Sequence, residues 1–124
     1  MSDRIRVQRI AIFAYHGVLP EEARLGQRFY VSLNCALDLR DAGLSDDVDR
    51  TVSYADLAAM VVEIATGRRF ALIEALAEAI ARAILARFDT VEAVTVQVEK
   101  PSAPVVAILD GVSVEITRTR GLSA

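Results

Sequence analysis

The chain has 124 residues and a formal net charge of −3, with a pI near 5.1. Such an acidic chain gives no electrostatic reason to bind nucleic acid or an anionic membrane, and we expect neither partner. Hydrophobic residues make up 53% of the chain, which is ample for a core. Because the length is close to that of a typical domain, residues 1–124 are predicted to form a single domain.

The cysteine and histidine content limits which cellular compartment and which kinds of metal site can be expected. Cys35 is the only cysteine, which excludes an internal disulfide, and His16 is the only histidine. These are too few soft ligands for a typical zinc site, so neither a metal nor another cofactor is expected. A carboxylate-only metal site stays open, although no acidic cluster has the spacing of a calcium loop. No apolar run of membrane-spanning or signal-peptide type is present, and we expect a cytoplasmic protein.

Two antiparallel strands are predicted in the first third of the chain. Residues 5–15 are rich in β-branched side chains, and their apolar phase slips by one between Val7 and Ile10, which indicates a β-bulge. Residues 29–39 alternate strictly between apolar and other side chains. The connection between the two strands is too short for a helical crossover, so they are expected to pair antiparallel.

Two helices are predicted in the middle of the chain. Ser53 and Asp56 have the spacing of a capping box, and Gly67 is a suitable stop for the helix that follows. Residues 72–88 carry an apolar stripe at helical spacing and predict the second helix. The polar, acidic residues 41–50 that precede both helices are expected to form a loop.

The remaining elements complete a ββααββ order. Pro20 is placed to begin a short helical turn that Gly26 closes. Residues 91–99 and 111–118 predict the last two strands, with Val112 among the inward side chains. This order predicts an α+β fold, a four-stranded antiparallel sheet with two helices on one face. The unpaired sheet edges favour joining to other copies, in the simplest case as a closed ring.

One lysine lies at the end of the third predicted strand, directly before a proline. Lys100 is the only lysine among the 14 basic residues, and all the others are arginine. Arginine keeps its proton near neutral pH, whereas lysine can release it when it is buried or crowded. We therefore suspect proton transfer at Lys100, with an ordinary solvated charge as the alternative.

Five short segments, in order and in register, resemble motifs of the dihydroneopterin aldolase family of folate biosynthesis. They are Tyr15-His-Gly-Val-Leu-Pro-Glu-Glu22, Gly26-Gln-Arg-Phe29, Thr51-Val-Ser-Tyr54, Leu72-Ile-Glu74 and Glu99-Lys-Pro101. The resemblance implies the tunnelling fold, in which four subunits join their sheets into a β-barrel ring. It also implies that two rings stack into a homo-octamer, with active sites between subunits.

The same resemblance implies a reaction. The family cleaves 7,8-dihydroneopterin by a retro-aldol step into 6-hydroxymethyl-7,8-dihydropterin and glycolaldehyde, and many members also epimerise the substrate at C2′. Such an enzyme is a carbon-carbon lyase with a small-molecule pterin substrate. By the same resemblance, Lys100 matches the family's general acid/base, Glu22 matches the residue near the reacting side chain and its water, and Tyr54 matches the tyrosine that the adjacent subunit supplies.

The resemblance also implies how the pterin is bound. Glu74 matches the carboxylate that accepts hydrogen bonds from the amide and amino groups of the ring, and Leu72 and Ile73 add backbone hydrogen bonds. Two positions depart from the family pattern. Ala71 stands where many members have asparagine, and Ala14 stands where a glycine is common.

The chemistry of the substrate agrees with these residue types. A dihydropterin holds a C=N bond next to the bond that breaks, so the substrate itself can take the electrons. The protein then needs to supply positioning, a base for the C2′ hydroxyl proton and an acid for the resulting enamine. Lys100 and Glu22 around one water could share these two roles.

Two other functions stay open. One is a 2′-epimerase acting on dihydroneopterin triphosphate, for which Arg24 and Arg28 are the basic residues close in sequence to Glu22. The other is a non-catalytic ring that binds a pterin or purine, which would keep Glu74 but have no need of Lys100.

Each candidate also has a plain structural interpretation. Glu74 lies in the first turn of a helix, where the dipole favours any carboxylate. Glu22 could be an ordinary surface charge and Tyr54 a half-buried structural tyrosine. His16 precedes a turn glycine and is expected to hold backbone through a hydrogen bond, and Cys35 is expected to be inert core.

Overall fold

The computed structural model describes residues 3–120 and follows the predicted ββααββ order. The strands are β1 (Arg4–Ala14), β2 (Gln27–Ala36), β3 (Ala93–Lys100) and β4 (Val112–Thr119). The helices are α1 (Pro20–Leu25), α2 (Arg40–Ser45), α3 (Tyr54–Gly67) and α4 (Ile73–Arg87), with a short 3-10 helix at Val48–Arg50. Within the described residues, no helix is long and apolar enough to cross a membrane.

The four strands form one antiparallel sheet in the order β1-β2-β3-β4. The predicted bulge in β1 is confirmed, because the register with β2 shifts between Val7 and Ile10. Within this bulge Arg9 takes a positive φ of 52°, and its backbone N–H donates to Ser32 Oγ at 3.0 Å. The predicted α+β class and the antiparallel sheet are therefore confirmed.

The core lies between one face of the sheet and the helices α3 and α4. Alternate residues of β2 are fully buried, as the strict alternation predicts, and they meet buried residues of β3 and both helices. The main contributors are Phe29, Val31, Leu33, Cys35, Leu57, Val61, Ile80, Ile84, Val94, Val96 and Val98. Cys35 is inside this cluster as predicted, and burial raises the pKa of its thiol to about 11.

The loop predicted over residues 41–50 is wrong, because α2 and the 3-10 helix occupy most of it. Acidic side chains here satisfy local backbone donors. Asp38 accepts from the N–H of Arg40 at 2.9 Å, and Asp47 accepts from the N–H of Asp49 at 3.0 Å. Polar composition therefore did not distinguish a loop from short capped helices.

Two details also differ from prediction, and a third is confirmed only in part. The strand β2 ends at Ala36 and not at residue 39, although the next N–H, that of Leu37, still donates to the carbonyl of Asp3 at 3.2 Å. Val112, expected to face inward, is 38% exposed at the start of β4. Gly67 is the last residue of α3 as expected, but it does not take the left-handed conformation of a glycine cap.

Candidate active site

The helix α1 carries Glu22 into the protein. Pro20 begins this helix, as predicted, because its fixed φ suits a first turn and its missing N–H would have no partner there. Glu22 lies at the third helical position, and its Oε1 accepts from the N–H of Leu19 at 3.2 Å. Gly26 closes the helix with a φ of 69°. The carboxylate is thereby turned back over its own helix, and the residue is only 8% exposed.

The sheet brings Lys100 to the same place. Because β2 and β3 run antiparallel, the end of β3 lies beside the start of β2, which directly follows α1. Nζ of Lys100 is 2.5 Å from Oε2 of Glu22, and the two side chains are 13% and 7% exposed. Gln27, the first residue of β2, donates from Nε2 to the same Oε2 at 3.3 Å. An ordinary solvated lysine and a surface glutamate are thus both excluded.

Glu22 is charged in this setting. Burial alone would raise the pKa of its carboxyl group. Hydrogen bonds from Lys100, from the Leu19 N–H and from Gln27, together with the positive charge of Lys100, outweigh that effect and lower the pKa below its ordinary value. Near neutral pH Glu22 is therefore a carboxylate that faces Nζ of Lys100.

The position of the Glu22 carboxylate explains why a glycine follows the histidine. Gly17 has a φ of 148°, and a Cβ atom at this position would overlap the carboxyl group of Glu22. Its N–H also donates to the carbonyl of Phe70 at 3.0 Å. The carboxylate therefore lies directly against the backbone of Gly17. Any side chain at residue 17 would displace it.

His16 holds backbone, as the sequence predicted. Its Nδ1 accepts from the N–H of Phe70 at 2.9 Å, so the proton is on Nε2, which donates to the carbonyl of Ala65 at 2.8 Å. Burial lowers the pKa of the imidazole, and the charges of Arg69 and Lys100 lower it further against the opposing effect of the Ala65 carbonyl. His16 is therefore a neutral, structural histidine that joins the end of β1 to the α3–α4 connection.

The predicted pterin-binding residues lie at the start of α4. Leu72 is the N-cap and is half exposed, Ile73 is buried, and Glu74 is exposed in the first helical turn. The first N–H groups of a helix have no partner inside the helix, so those of Ile73 and Glu74 can donate to a ligand. Phe70, which bonds to His16 and Gly17, ties this end of α4 to the loop next to Glu22.

Tyr54 is not brought to this place within one chain. It begins α3 and is 71% exposed. The pair Asp56–Arg87, at 3.5 Å, joins the start of α3 to the end of α4, so the two helices run antiparallel. Tyr54 and Glu74 consequently lie at opposite ends of the helix pair, and the 14 residues of α3 separate them by about 21 Å.

Comparison with known proteins identifies the family of the chain. The sequence model of the dihydroneopterin aldolase family matches residues 5–117. The chain belongs to this family. It is 65% identical over 120 residues to a dihydroneopterin aldolase of Methylorubrum extorquens, covering 97% of this chain and 92% of that protein.

Solved structures give the same result. The Escherichia coli dihydroneopterin aldolase in complex with neopterin is 37% identical, with a TM-score of 0.87 over 94% of this chain and 98% of that chain. A Burkholderia dihydroneopterin aldolase bound to guanine is 26% identical, with a TM-score of 0.80 over 95% of this chain and 91% of that chain. The chain is thus a lyase, a dihydroneopterin aldolase of folate biosynthesis, as the sequence motifs predicted.

The two departures from the family pattern have different consequences. Ala14 is buried on the core face of β1, pairs with Gln27 and has no positive φ, so a glycine is not required by the backbone. Ala71 is exposed directly before Leu72 and offers no side-chain polar atom to a ligand. Of the two departures, only Ala71 lies at an exposed position beside the predicted pterin-binding residues.

Two residues close to Glu22 were not predicted from the sequence to belong to the site. Gln27 lies within the matched Gly-Gln-Arg-Phe segment, and its Oε1 is buried without a hydrogen-bond partner in the described part of the chain. Arg69 donates to carbonyl groups of the loop that precedes Glu22. A motif position could have indicated Gln27, but no local pattern indicates a contact between Arg69 and residues more than 45 positions away.

Across residues 3–120, no group of three or more His, Cys, Asp or Glu side chains is placed to hold a metal ion. A concavity of about 700 Å³ lies on the polar face of the sheet, lined by residues that include Arg4, Arg6, Ser32 and Gln97. None of the candidate site residues lines this concavity.

Proposed function

We propose that Lys100 and Glu22 are the proton-transfer centre of the aldolase reaction in this chain. The observation that carries the proposal is their close, shielded ion pair, with Nζ and Oε2 separated by 2.5 Å. The pair holds one group that can give a proton and one that can take a proton. No other lysine exists in the sequence to substitute for Lys100.

The reaction that these groups would support begins with loss of the C2′ hydroxyl proton of 7,8-dihydroneopterin. The C1′–C2′ bond then breaks, glycolaldehyde leaves, and the electron pair is taken up by the C=N bond of the dihydropterin as an enamine. Protonation of C1′ gives 6-hydroxymethyl-7,8-dihydropterin. Glu22 and Lys100, with a water between them and the substrate, can relay both protons, and no metal or other cofactor is required.

The start of α4 is proposed as the pterin-binding region. Glu74 would accept from the amide and amino groups of the ring, while Leu72 and Ile73 would add backbone hydrogen bonds. Support comes from the related structures, one named as a complex with neopterin and one as bound to guanine, which carries the same amide and amino pattern. Glu22 and Tyr54 are proposed to contact the substrate side chain.

Tyr54 is proposed to come from a neighbouring subunit. Tyr54 is exposed and lies about the length of α3 away from Glu74. Both residues can therefore contact one substrate only if they come from two copies of the chain. We propose a ring of four subunits formed edge to edge through their sheets, and two stacked rings as a homo-octamer. The proposed location is the cytoplasm.

The test is an assay of purified wild type and Lys100→Arg with 7,8-dihydroneopterin, following 6-hydroxymethyl-7,8-dihydropterin by chromatography. Arginine keeps the positive charge beside Glu22 and removes the proton transfer. We expect product from the wild type and almost none from the variant. Glu99→Gln, which changes the neighbouring residue and breaks its surface pair with Arg9, serves as the control and should stay active.

The other outcomes separate the alternatives. Equal product from wild type and Lys100→Arg would refute the role of Lys100. No product from either would direct the assay to dihydroneopterin triphosphate, since Arg24 and Arg28 are exposed near Glu22. Chromatography that resolves the C2′ epimers in the same samples would reveal epimerisation. Tight pterin binding without turnover of any of these substrates would favour the non-catalytic ring.

A further inference from the structure

Arg69 makes an unusual set of contacts with the loop that leads to Glu22. This loop, residues 15–19 and here called the His-Gly loop, connects β1 to α1. Arg69 Nε donates to the carbonyl of Tyr15 at 2.8 Å, and Nη2 donates to the carbonyl of Gly17 and, at 3.5 Å, to that of Leu19. One guanidinium group therefore contacts three alternate carbonyls of a five-residue segment.

Two of the three contacted carbonyls belong to residues that touch the Glu22 carboxylate, Gly17 and Leu19. The N–H of Leu19 donates to Glu22 Oε1 at 3.2 Å, and Gly17 lies against the carboxyl group. A shift of the His-Gly loop would therefore move the Leu19 N–H and the Gly17 backbone, which together define where the Glu22 carboxylate lies. Because Glu22 in turn pairs with Lys100, such a shift would also change the geometry of that pair.

We propose that Arg69 is a positioning residue for the aldolase reaction, which holds the His-Gly loop so that Glu22 meets Lys100 in the geometry needed for proton transfer. Arg69 itself does not contact Glu22 or Lys100 through any hydrogen bond among the described residues. The proposal rests on the proposed function of the Glu22–Lys100 pair. A rigid, planar fork of donors is what several fixed carbonyls require, and a lysine does not offer it.

The neighbouring Arg68 provides a matched control. Its guanidinium lies over the ring of Phe70 at 4.2 Å from the ring centroid, and it makes no hydrogen bond to the His-Gly loop in the described structure. Arg68→Ala and Arg69→Ala thus remove the same charge and the same side-chain volume one residue apart. Only the second removes the donors to the loop.

The experiment compares kcat, KM and thermal unfolding of the full-length wild type, Arg68→Ala, Arg69→Ala and Arg69→Lys with 7,8-dihydroneopterin. We expect kcat of Arg69→Ala to fall by about tenfold to a hundredfold, since a misplacement of about 1 Å can cost a hundredfold. KM should change little, and Arg68→Ala should match the wild type. Added guanidinium ion at a non-denaturing concentration should restore part of the kcat of Arg69→Ala and leave Arg68→Ala unchanged.

Arg69→Lys guards against a loss of folding in the alanine variant. Lysine keeps the charge but not the fork of donors, so its kcat should fall while its unfolding temperature stays near that of the wild type. A kcat of Arg69→Lys equal to the wild type, or a kcat of Arg69→Ala equal to that of Arg68→Ala, would overturn the proposal. So would a loss of activity that merely follows a loss of folded protein and is not rescued by guanidinium.

Glu22→Gln, assayed in parallel, separates this inference from the proposed function on which it rests. An inactive Glu22→Gln together with a fully active Arg69→Ala would refute only the role of Arg69. A fully active Glu22→Gln would refute the role of Glu22, and with it both proposals.

Discussion

A Cβ atom on Gly17 would overlap the carboxyl group of Glu22, so the missing side chain at residue 17 is what lets the carboxylate lie against the backbone of the loop. The carboxylate approaches from α1, while Gly17 is held from the other side by the carbonyl of Phe70. The glycine in the Tyr-His-Gly motif thus has a direct consequence for the Glu22–Lys100 ion pair, since it limits where the Glu22 carboxylate can lie.

We predict that Gly17→Ala loses most of its aldolase activity. The added methyl would push the Glu22 carboxylate away from Lys100, and alanine would also be strained at a φ of 148°. Backbone strain of this kind costs about 1–3 kcal/mol, so the free energy of unfolding should fall as well. The measurement is kcat together with urea unfolding.

Gly67→Ala is the matched control for this substitution. A Cβ at Gly67 meets nothing within 4 Å, and its φ is not positive, so activity and stability should be kept or slightly improved. If Gly17→Ala had the same kcat as Gly67→Ala, Gly17 would not position Glu22.

We predict that Glu74→Ala weakens pterin binding without affecting the fold. Glu74 is exposed at the start of α4, so its removal should hardly change the free energy of unfolding. Hydrogen bonds to a charged group contribute about 1.5–3 kcal/mol, which corresponds to a roughly 10- to 150-fold higher Kd for neopterin. Calorimetric titration gives both Kd and stoichiometry.

Glu63→Ala is a suitable control for that titration, because Glu63 is also an exposed glutamate, on the neighbouring helix α3. It should bind neopterin as the wild type does. Unchanged affinity in Glu74→Ala would remove Glu74 from the pterin site.

The elements with strong periodicity were predicted from the sequence, while α2 was not. The strict alternation of β2 and the apolar stripe of α4 both follow from which side chains face one common core. By contrast, α2 buries no residue, so no apolar stripe marks it, and it lies in the polar, acidic stretch 41–50, whose composition resembles that of a loop. Short helices held by local caps leave little trace in a hydrophobic pattern.

The candidate site divides in a similar way. Lys100 could be selected from composition and position alone, and the family motifs indicated Glu22, but their distance and shielding depend on where α1 and the end of β3 meet. Arg69 could not be predicted from the sequence, because it donates to backbone carbonyls of residues more than 45 positions earlier in the chain. Any residue type has a carbonyl group, so such a contact leaves no sequence pattern.

We predict that Tyr54→Phe lowers kcat about tenfold or more while stability and assembly are kept. The side chain is 71% exposed, so loss of one hydroxyl should change the free energy of unfolding by less than about 0.5 kcal/mol. Turnover and size-exclusion chromatography test the two parts. A smaller assembly in Tyr54→Phe would instead make Tyr54 an interface residue.

Mixed assemblies provide a sharper test of where Tyr54 acts. If each site takes Lys100 from one subunit and Tyr54 from the next, random mixing of Lys100→Arg and Tyr54→Phe chains should restore wild-type residues in about a quarter of the sites. The mixture, formed by co-refolding, should then be more active than either variant alone. Activity no higher than the mean of the two variants would place both residues in the same chain.

The stability of the protein should depend on pH through His16. Burial lowers the pKa of this imidazole below its ordinary value of 6.5 in the folded protein, so the unfolded chain binds a proton first as the pH falls. Stability is therefore full above about pH 6.5 and declines below it, with a slope of at most about 1.4 kcal/mol per pH unit for one group, until the folded-state pKa is reached. His16 is the only histidine, and the ordinary pKa values of carboxyl groups lie lower, so His16 is the one side chain that titrates in this pH range.

Urea unfolding at intervals from about pH 7.5 to about pH 5.5 should show this decline in the wild type. His16→Gln cannot titrate there, and although it should be less stable overall, its free energy of unfolding should be nearly constant across the window. Equal slopes in the two proteins would show that His16 does not bind its proton preferentially in the unfolded chain.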